Sequence, residues 1–211
     1  MSARIAPSHD TTISSEVTFH CRKLPKRHGV SVQPACGIFF FLPVKHRQWY
    51  RFISSGFIHA DFIHLLVNML VLWSFGRVVE YDFARIFGEQ ATYYFIILYL
   101  GGLVISITPS YKRNKHNAAY NALGASGAVS SVLFAAILLR PLENIYLYGI
   151  IGLPAIIMGV AYLVYSYYME KKGGTHINHD AHFWGAVYGF VFPIIIKPSL
   201  LADFFEKLLP F

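Results

Sequence analysis

The chain has 211 residues, of which 55% are hydrophobic and only 14% charged, with a mean hydropathy of +0.45 and a net charge of +7. Soluble domains carry about 25% charged residues, so this composition excludes an ordinary soluble domain and points to the membrane. The basic balance does not point to nucleic acid, because 8 of the 18 Lys and Arg precede residue 52 and the rest dot short loops, where anionic lipid is the natural counter-charge.

Residues 1–44 are rich in Ser, Thr, Pro and basic residues up to the apolar patch Gly37 to Leu42, which Pro43 closes. The patch is too short to span and lacks the small-residue cleavage pattern of a secretory signal. An irregular or interfacial N-terminal segment is expected there. Cys21 and Cys36 fall in it without metal or redox spacing. The junction Lys45 to Ser55 carries Trp49, Tyr50 and Arg51, a mixture suited to a membrane interface.

Five apolar runs follow. Span A is Phe57 to Gly76, B is Ala91 to Thr108, C is Ala118 to Leu139, D is Ile145 to Met169 and E is Ala181 to Ile196. A spanning helix needs about 20 apolar residues, so the fold class is all-α, a polytopic membrane helical bundle occupying residues 45–199. Loops are expected at Arg77 to Gln90, Pro109 to Asn117, Arg140 to Asn144 and Glu170 to Asp180. Residues 200–211 read as a short amphipathic surface helix. The loops on the two sides hold five Lys or Arg each, so the positive-inside rule sets no orientation. An integral, multi-pass protein of the cell inner or plasma membrane is the expectation.

Parity organises the polar residues. Spans A, C and E enter the bilayer from the same side, because one span separates each from the next. Their leading ends carry the unusual residues: His59, His64 and Asn68 in A, Ser126 in C and His182 in E. His64 and Asn68 are four apart and share a helix face. Ser126 sits in Gly124-Ala125-Ser126-Gly127, and Gly185 and Gly189 follow His182 as a small-xxx-small pair. Such pairs let helix backbones approach closely, so E can sit against C at Gly127 and bring His182 to the Ser126 hydroxyl.

A serine hydroxyl needs a neighbouring base to become a nucleophile. Neutral His182 is that base, and it returns the proton to a leaving amine. An oxyanion needs preorganised donors, which His64, Asn68 and the Ser126 backbone N–H supply if a helix begins near Ser126. Asp180, in the loop before span E, is the sole acidic residue near enough to orient His182, so two residues rather than three are expected to carry the chemistry. His59 is expected to make a structural hydrogen bond, and His176 and His179 to be solvated in their loop.

Blander roles exist for each residue alone. A membrane-helix serine often bonds its own backbone, and asparagine and glycine pairs are common packing devices. A metal site from His59, His64, His179 and His182 is a further alternative, although no His-x-x-Glu-His pairing supports it. Gly124 to Ala128 also lacks the second glycine of the soluble hydrolase elbow.

Taken in order, these motifs resemble the rhomboid family of intramembrane serine proteases from about Trp49 to Pro193. The family's Gly-x-Ser-Gly is similar to Gly124 to Gly127, which implies Ser126 as nucleophile. Its Ala-His-x-x-Gly-x-x-x-Gly is similar to Ala181, His182, Gly185 and Gly189, which implies His182 as base. Its His-x-x-x-x-His-x-x-x-Asn is similar to His59, His64 and Asn68, with the last two implied at the oxyanion. Tyr50-Arg51 approximates its Trp-Arg loop signature, and Gly76 and Glu80 its Gly-x-x-x-Glu. The resemblance implies cleavage of single-pass transmembrane substrates near the membrane surface, on the non-cytoplasmic face, with no metal or organic cofactor. A non-proteolytic relative that binds transmembrane helices is the alternative. Two departures stand out. The family's first span precedes the Trp-Arg loop, where this chain has residues 1–44, so that helix is expected to be degenerate or missing. Some members carry a tyrosine four residues after the nucleophile that stacks on the histidine, and Ser130 stands there.

Overall fold

A computed structural model describes residues 50–59, 61–116, 124–147, 151–172 and 178–209. The expected N-terminal segment 1–44, Trp49, His176 and the Arg51 side chain lie outside the described residues. Helix α1 (Arg51–Ser54) and a 3-10 turn (Ser55–Phe57) lead into α2 (Phe62–Phe87), α3 (Ala91–Asn114), α4 (Ser126–Leu139), a hairpin of β1 (Asn144–Leu147) and β2 (Ile151–Pro154), α5 (Ala155–Lys172), α6 (His179–Ile196) and α7 (Ser199–Leu208). Spans A to E correspond to α2 to α6.

The element ends differ from the apolar runs, and local chemistry explains each difference. Span A was expected to stop at Gly76, yet α2 continues through the expected loop to Phe87. No Pro or Gly interrupts Arg77 to Phe87, and the helix stops where Gly88 adopts φ +57°, a conformation glycine takes without Cβ strain. At its start the Asp61 carboxylate accepts from the His64 N–H at 2.8 Å, a cap worth about 1 kcal/mol. Helix α3 runs past Pro109 to Asn114, so most of the loop expected from Pro109 is helical. Span C was expected to begin at Ala118, but α4 begins at Ser126 and has 14 residues; residues 118–123 lie outside the described residues. In span D, Asn144 to Leu147 pair antiparallel with Ile151 to Pro154, so the helix starts ten residues later than expected, at Ala155. Branched and aromatic residues favour the strand there, and Pro154 fits the residue before a helix start better than a helix interior.

Helix α4 is the axis of the bundle, with 12 of its 14 residues buried. Small residues let its neighbours close on it. A Cβ on Gly185 would overlap the Gly127 carbonyl, and one on Gly189 would overlap the Ser131 carbonyl. Gly102 of α3 lies against Ser131 and Ala128 in the same manner. The Ser131 hydroxyl donates to the Gly185 carbonyl at 2.9 Å, joining α4 to α6. Val79, Phe83, Leu98, Val132, Ala135 and Leu139 form the largest apolar core, which ties α2 and α3 to α4. Helix α5 is peripheral, burying only Ala155, Gly159 and Ser166.

The outward faces are apolar rather than polar. Phe62, Ile63, Val67, Leu70 and Trp73 of α2, and Ile157, Val160 and Val164 of α5, are all exposed. So large an apolar surface needs lipid as its solvent. Helix α7 leaves α6 at a bend of 117°. It buries Leu200 and Phe204 while Leu201 and Phe205 stay exposed. Arg140 closes the far end of α4, where its guanidinium donates to both oxygens of Asp82, at 2.5 and 2.8 Å.

Candidate active site

Gly185 on Gly127 and Gly189 on Ser131 set α6 parallel to α4, and His64 at Gly124 with Asp82 at Arg140 sets α2 parallel to it as well, so the N-terminal ends of all three meet at one end of the bundle. Gly124 adopts φ +98°, and a Cβ there would come within 2.8 Å of the His64 ring. Two independent demands, a left-handed backbone and a ring pressed on its Cα, therefore exclude a side chain at Gly124. The Gly124 N–H donates to the Ser55 carbonyl at 3.1 Å, which anchors the segment before α4 to the 3-10 turn.

Ser126 is the first residue of α4, and Ala125 before it provides no side-chain cap. The first N–H groups of a helix lack intrahelical acceptors and carry the positive end of its dipole. Ser126 is half-buried, beside Gly127, whose missing side chain leaves room for Ser106 of α3 and whose backbone meets Gly185. His182 lies in the first turn of α6, one residue from Ala181, whose carbonyl is 3.4 Å from a Cβ placed on Gly127. The His182 Nε2 is buried and takes no hydrogen bond from any described group, which leaves it free as an acceptor.

His64 and Asn68 share the inner face of α2. Asn68 is buried, and its Nδ2 donates to the His64 carbonyl at 2.9 Å, which leaves one amide hydrogen for another acceptor. The rings of His59 and His64 meet edge-on at 5.4 Å, and those of His179 and His182 at 5.8 Å. Among the described residues no group of three or more His, Cys, Asp or Glu is arranged to hold a metal.

Several expectations need correction. His179 is not a solvated loop residue: it lies in the first turn of α6 and is 1% exposed. The Asn178 side chain caps α6 by accepting from the Ala181 N–H at 3.1 Å, and this draws His179 into the helix. The His59 ring hydrogen-bonds the Phe57 backbone, while its Nε2 is buried without a partner among the described residues and the ring packs on His64. Asp180 does not orient His182; it accepts from the Ser110 hydroxyl at 2.7 Å and pairs with Arg113. Arg113 also reaches Glu170 at 3.2 Å, so the site-side ends of α3, α5 and α6 are clamped together. Glu80 is exposed on α2, about 24 Å along the helix from His64 at 1.5 Å per residue. Gly76 is buried beside Phe95 of α3.

One residue that the sequence did not single out, Tyr162, completes the surroundings together with Ser130. The Tyr162 ring of α5 stacks on His182 at 5.9 Å with 21° between the planes, and its hydroxyl meets Ser130 Oγ at 2.6 Å. No spacing rule singles out Tyr162 among the four tyrosines between Ala161 and Met169.

Fold and site together define a polytopic integral membrane protein that gathers a serine, histidines and an asparagine at one end of a helical bundle. The Rhomboid domain family matches residues 46–199. The chain belongs to the rhomboid family. It is 29% identical over 157 residues to RHOMBOID-like protein 12, mitochondrial, of Arabidopsis thaliana, covering 67% of this chain and 45% of that protein. It is 31% identical over 153 residues to Presenilin-associated rhomboid-like protein A, mitochondrial, of Danio rerio, covering 70% of this chain and 37% of that protein. The match thus spans less than half the length of either relative.

Proposed function

We propose that this rhomboid-family chain is an intramembrane serine endopeptidase that cleaves single-pass transmembrane proteins with Ser126 and His182. One observation carries the reading: Ser126 opens α4 where α6, in backbone contact through Gly185 and Gly127, begins with His182 and its unpartnered Nε2. The Ser126 oxygen attacks the substrate carbonyl while His182 Nε2 takes its proton. The C–N bond then breaks as that proton passes to the leaving amine, and water later releases the acyl group by the reverse proton route. The Ser126 N–H, the free amide hydrogen of Asn68 and the His64 ring are the donors for the oxyanion. These steps need no metal or organic cofactor.

Helix length accounts for the depth of the reaction. Fourteen residues of α4 extend about 21 Å, whereas the hydrocarbon core is about 30 Å thick. With the charged Arg140 end at one interface, Ser126 lies roughly 9 Å inside the other, within reach of water entering between the leading ends of α2, α4 and α6. Both relatives carry "mitochondrial" in their names, so we favour a mitochondrial membrane over the plasma membrane, to be checked by organelle fractionation.

The test uses the full chain in liposomes with a quenched fluorescent transmembrane peptide and a fluorophosphonate label. Cleavage and labelling are expected for the wild type and absent in Ser126→Ala and His182→Ala. Undiminished cleavage by Ser126→Ala would sink the mechanism.

A further inference from the structure

The packing around His182 assigns a role to a residue on a different helix. We propose that Tyr162 of α5 is the positioning residue of the His182 imidazole, holding the ring plane fixed at the start of α6, next to the start of α4. The inference rests on the serine–histidine reading above.

Three contacts carry it. The Tyr162 ring lies nearly parallel to the His182 ring, with centroids 5.9 Å apart and planes 21° apart. The hydroxyl of the same tyrosine is 2.6 Å from Ser130 Oγ. Ser130 Oγ in turn donates to the Ser126 carbonyl at 2.7 Å. A serine hydroxyl has a single hydrogen, and here Ser126 receives it. The Tyr162 hydroxyl is therefore the donor to Ser130. The result is a directed chain, Tyr162 O–H to Ser130 O–H to Ser126 C=O, that registers the stacking ring to the backbone of Ser126 itself.

The remaining neighbours explain why a support is needed. His182 Nε2 has no hydrogen-bond partner among the described residues, and Asp180 is committed to Ser110 and Arg113. No carboxylate among the described residues bonds the His182 Nε2, and ring packing supplies the contacts seen on the imidazole. His179 meets the His182 ring edge-on at 5.8 Å, and Tyr162 covers a face. Helix α5 comes near enough for this because Gly159, three residues before Tyr162, lets it close on Ile137 and Phe134 of α4. Ser130 is buried, and its small side chain leaves space for a tyrosine hydroxyl arriving from α5.

The chemistry of stacking identifies which part of Tyr162 matters. A flat aromatic surface restricts rotation of the imidazole plane, and phenylalanine retains that surface while losing the hydroxyl. Leucine retains bulk and apolarity but is not flat. Tyr162→Phe and Tyr162→Leu therefore separate positioning from packing, and the leucine variant guards against the folding loss that Tyr162→Ala risks.

The experiment measures the fluorophosphonate labelling rate, which reads serine activation without substrate docking, and kcat and KM for the quenched transmembrane peptide, all with the full chain in liposomes. Tyr162→Leu is expected to lose at least about tenfold in labelling rate and kcat, with KM within about twofold, because misplaced reacting groups lose rate steeply. Tyr162→Phe is expected to stay within about threefold of wild type. Wild-type rates in Tyr162→Leu, an equal loss in Tyr162→Phe and Tyr162→Leu, or a loss confined to KM would each overturn the assignment. Ser126→Ala and His182→Ala run alongside. If both are inert while Tyr162→Leu is fully active, only the Tyr162 role fails; if Ser126→Ala still cleaves, the underlying reading fails with it.

Discussion

Gly185 lies against Gly127 so closely that one methyl group on it would overlap the Gly127 carbonyl. The obstacle is backbone, which cannot rotate aside as a side chain would. Gly185→Ala is expected to separate α6 from α4, with destabilisation of about 1–3 kcal/mol from overpacking and loss of fluorophosphonate labelling. Gly88→Ala is the control. Nothing lies within 4 Å of a Cβ there, but its φ is +57° with ψ −127°, so the cost is about 1–3 kcal/mol of backbone strain with labelling retained. Thermal unfolding in detergent and labelling of the folded fraction distinguish the two.

Gly124→Ala meets both penalties at once, a φ of +98° and the His64 ring 2.8 Å from the new Cβ. The expected outcome is a stability loss of about 1–3 kcal/mol, and a labelling rate reduced more than the loss of folded protein explains. Gly124→Ala combined with His64→Ala removes the steric conflict but not the φ strain. The double variant should therefore unfold at a higher temperature than Gly124→Ala alone.

Asn68 is asked to hold a developing charge with the amide hydrogen it does not give to the His64 carbonyl. Asn68→Ala is expected to lower kcat by about 10²-fold, with KM little changed, since the oxyanion exists only in the transition state. Its cost to stability, one intrahelical hydrogen bond, is about 1 kcal/mol. Steady-state kinetics on the transmembrane peptide, with a thermal melt, check both parts.

At the opposite end of the bundle, Arg140 binds Asp82 through two bonds and Glu143 through a third at 2.7 Å. The hydrogen bond to Asp82 is the largest of the effects that keep the Arg140 guanidinium charged above its ordinary range. The pair is only partly exposed, 28% and 13%, so Asp82→Ala is expected to destabilise by about 1.5–3 kcal/mol. Labelling by the folded fraction should not change, because Asp82 sits near the end of α2 remote from Ser126. A double-mutant cycle with Arg140→Ala, read by thermal unfolding, measures the coupling.

Much of the bundle was legible because membrane helices announce themselves by long uncharged runs. Spans A to E each correspond to one helix, and parity alone brings the leading ends of A, C and E to one end. The Asp61 cap and the Gly88 stop were also readable residue types, yet span A was cut at Gly76. The charged residues Arg77, Glu80, Asp82 and Arg85 look like a loop when hydropathy is the guide, although helical hydrogen bonding needs no apolar side chains. The reverse error occurred in span D, where Ile145 to Pro154 is apolar enough for a helix but forms a hairpin.

The sequence by itself determined the membrane class, the order of the helices and which polar residues occupy their leading ends. Those follow from composition, from spacing and from counting crossings, all of which are local or additive. Only the tertiary structure decided where α4 begins, that Asp180 serves Ser110 and Arg113 rather than His182, and that the ring on His182 comes from Tyr162. The Ser130–Tyr162 bond joins residues 32 apart, Asp82–Arg140 58 apart and Ser110–Asp180 70 apart. Such partners leave no trace in local pattern, because what brings them together is the packing of whole helices, through the apolar core that joins α2 and α3 to α4 and through close approach at Gly127, Gly159, Gly185 and Gly189.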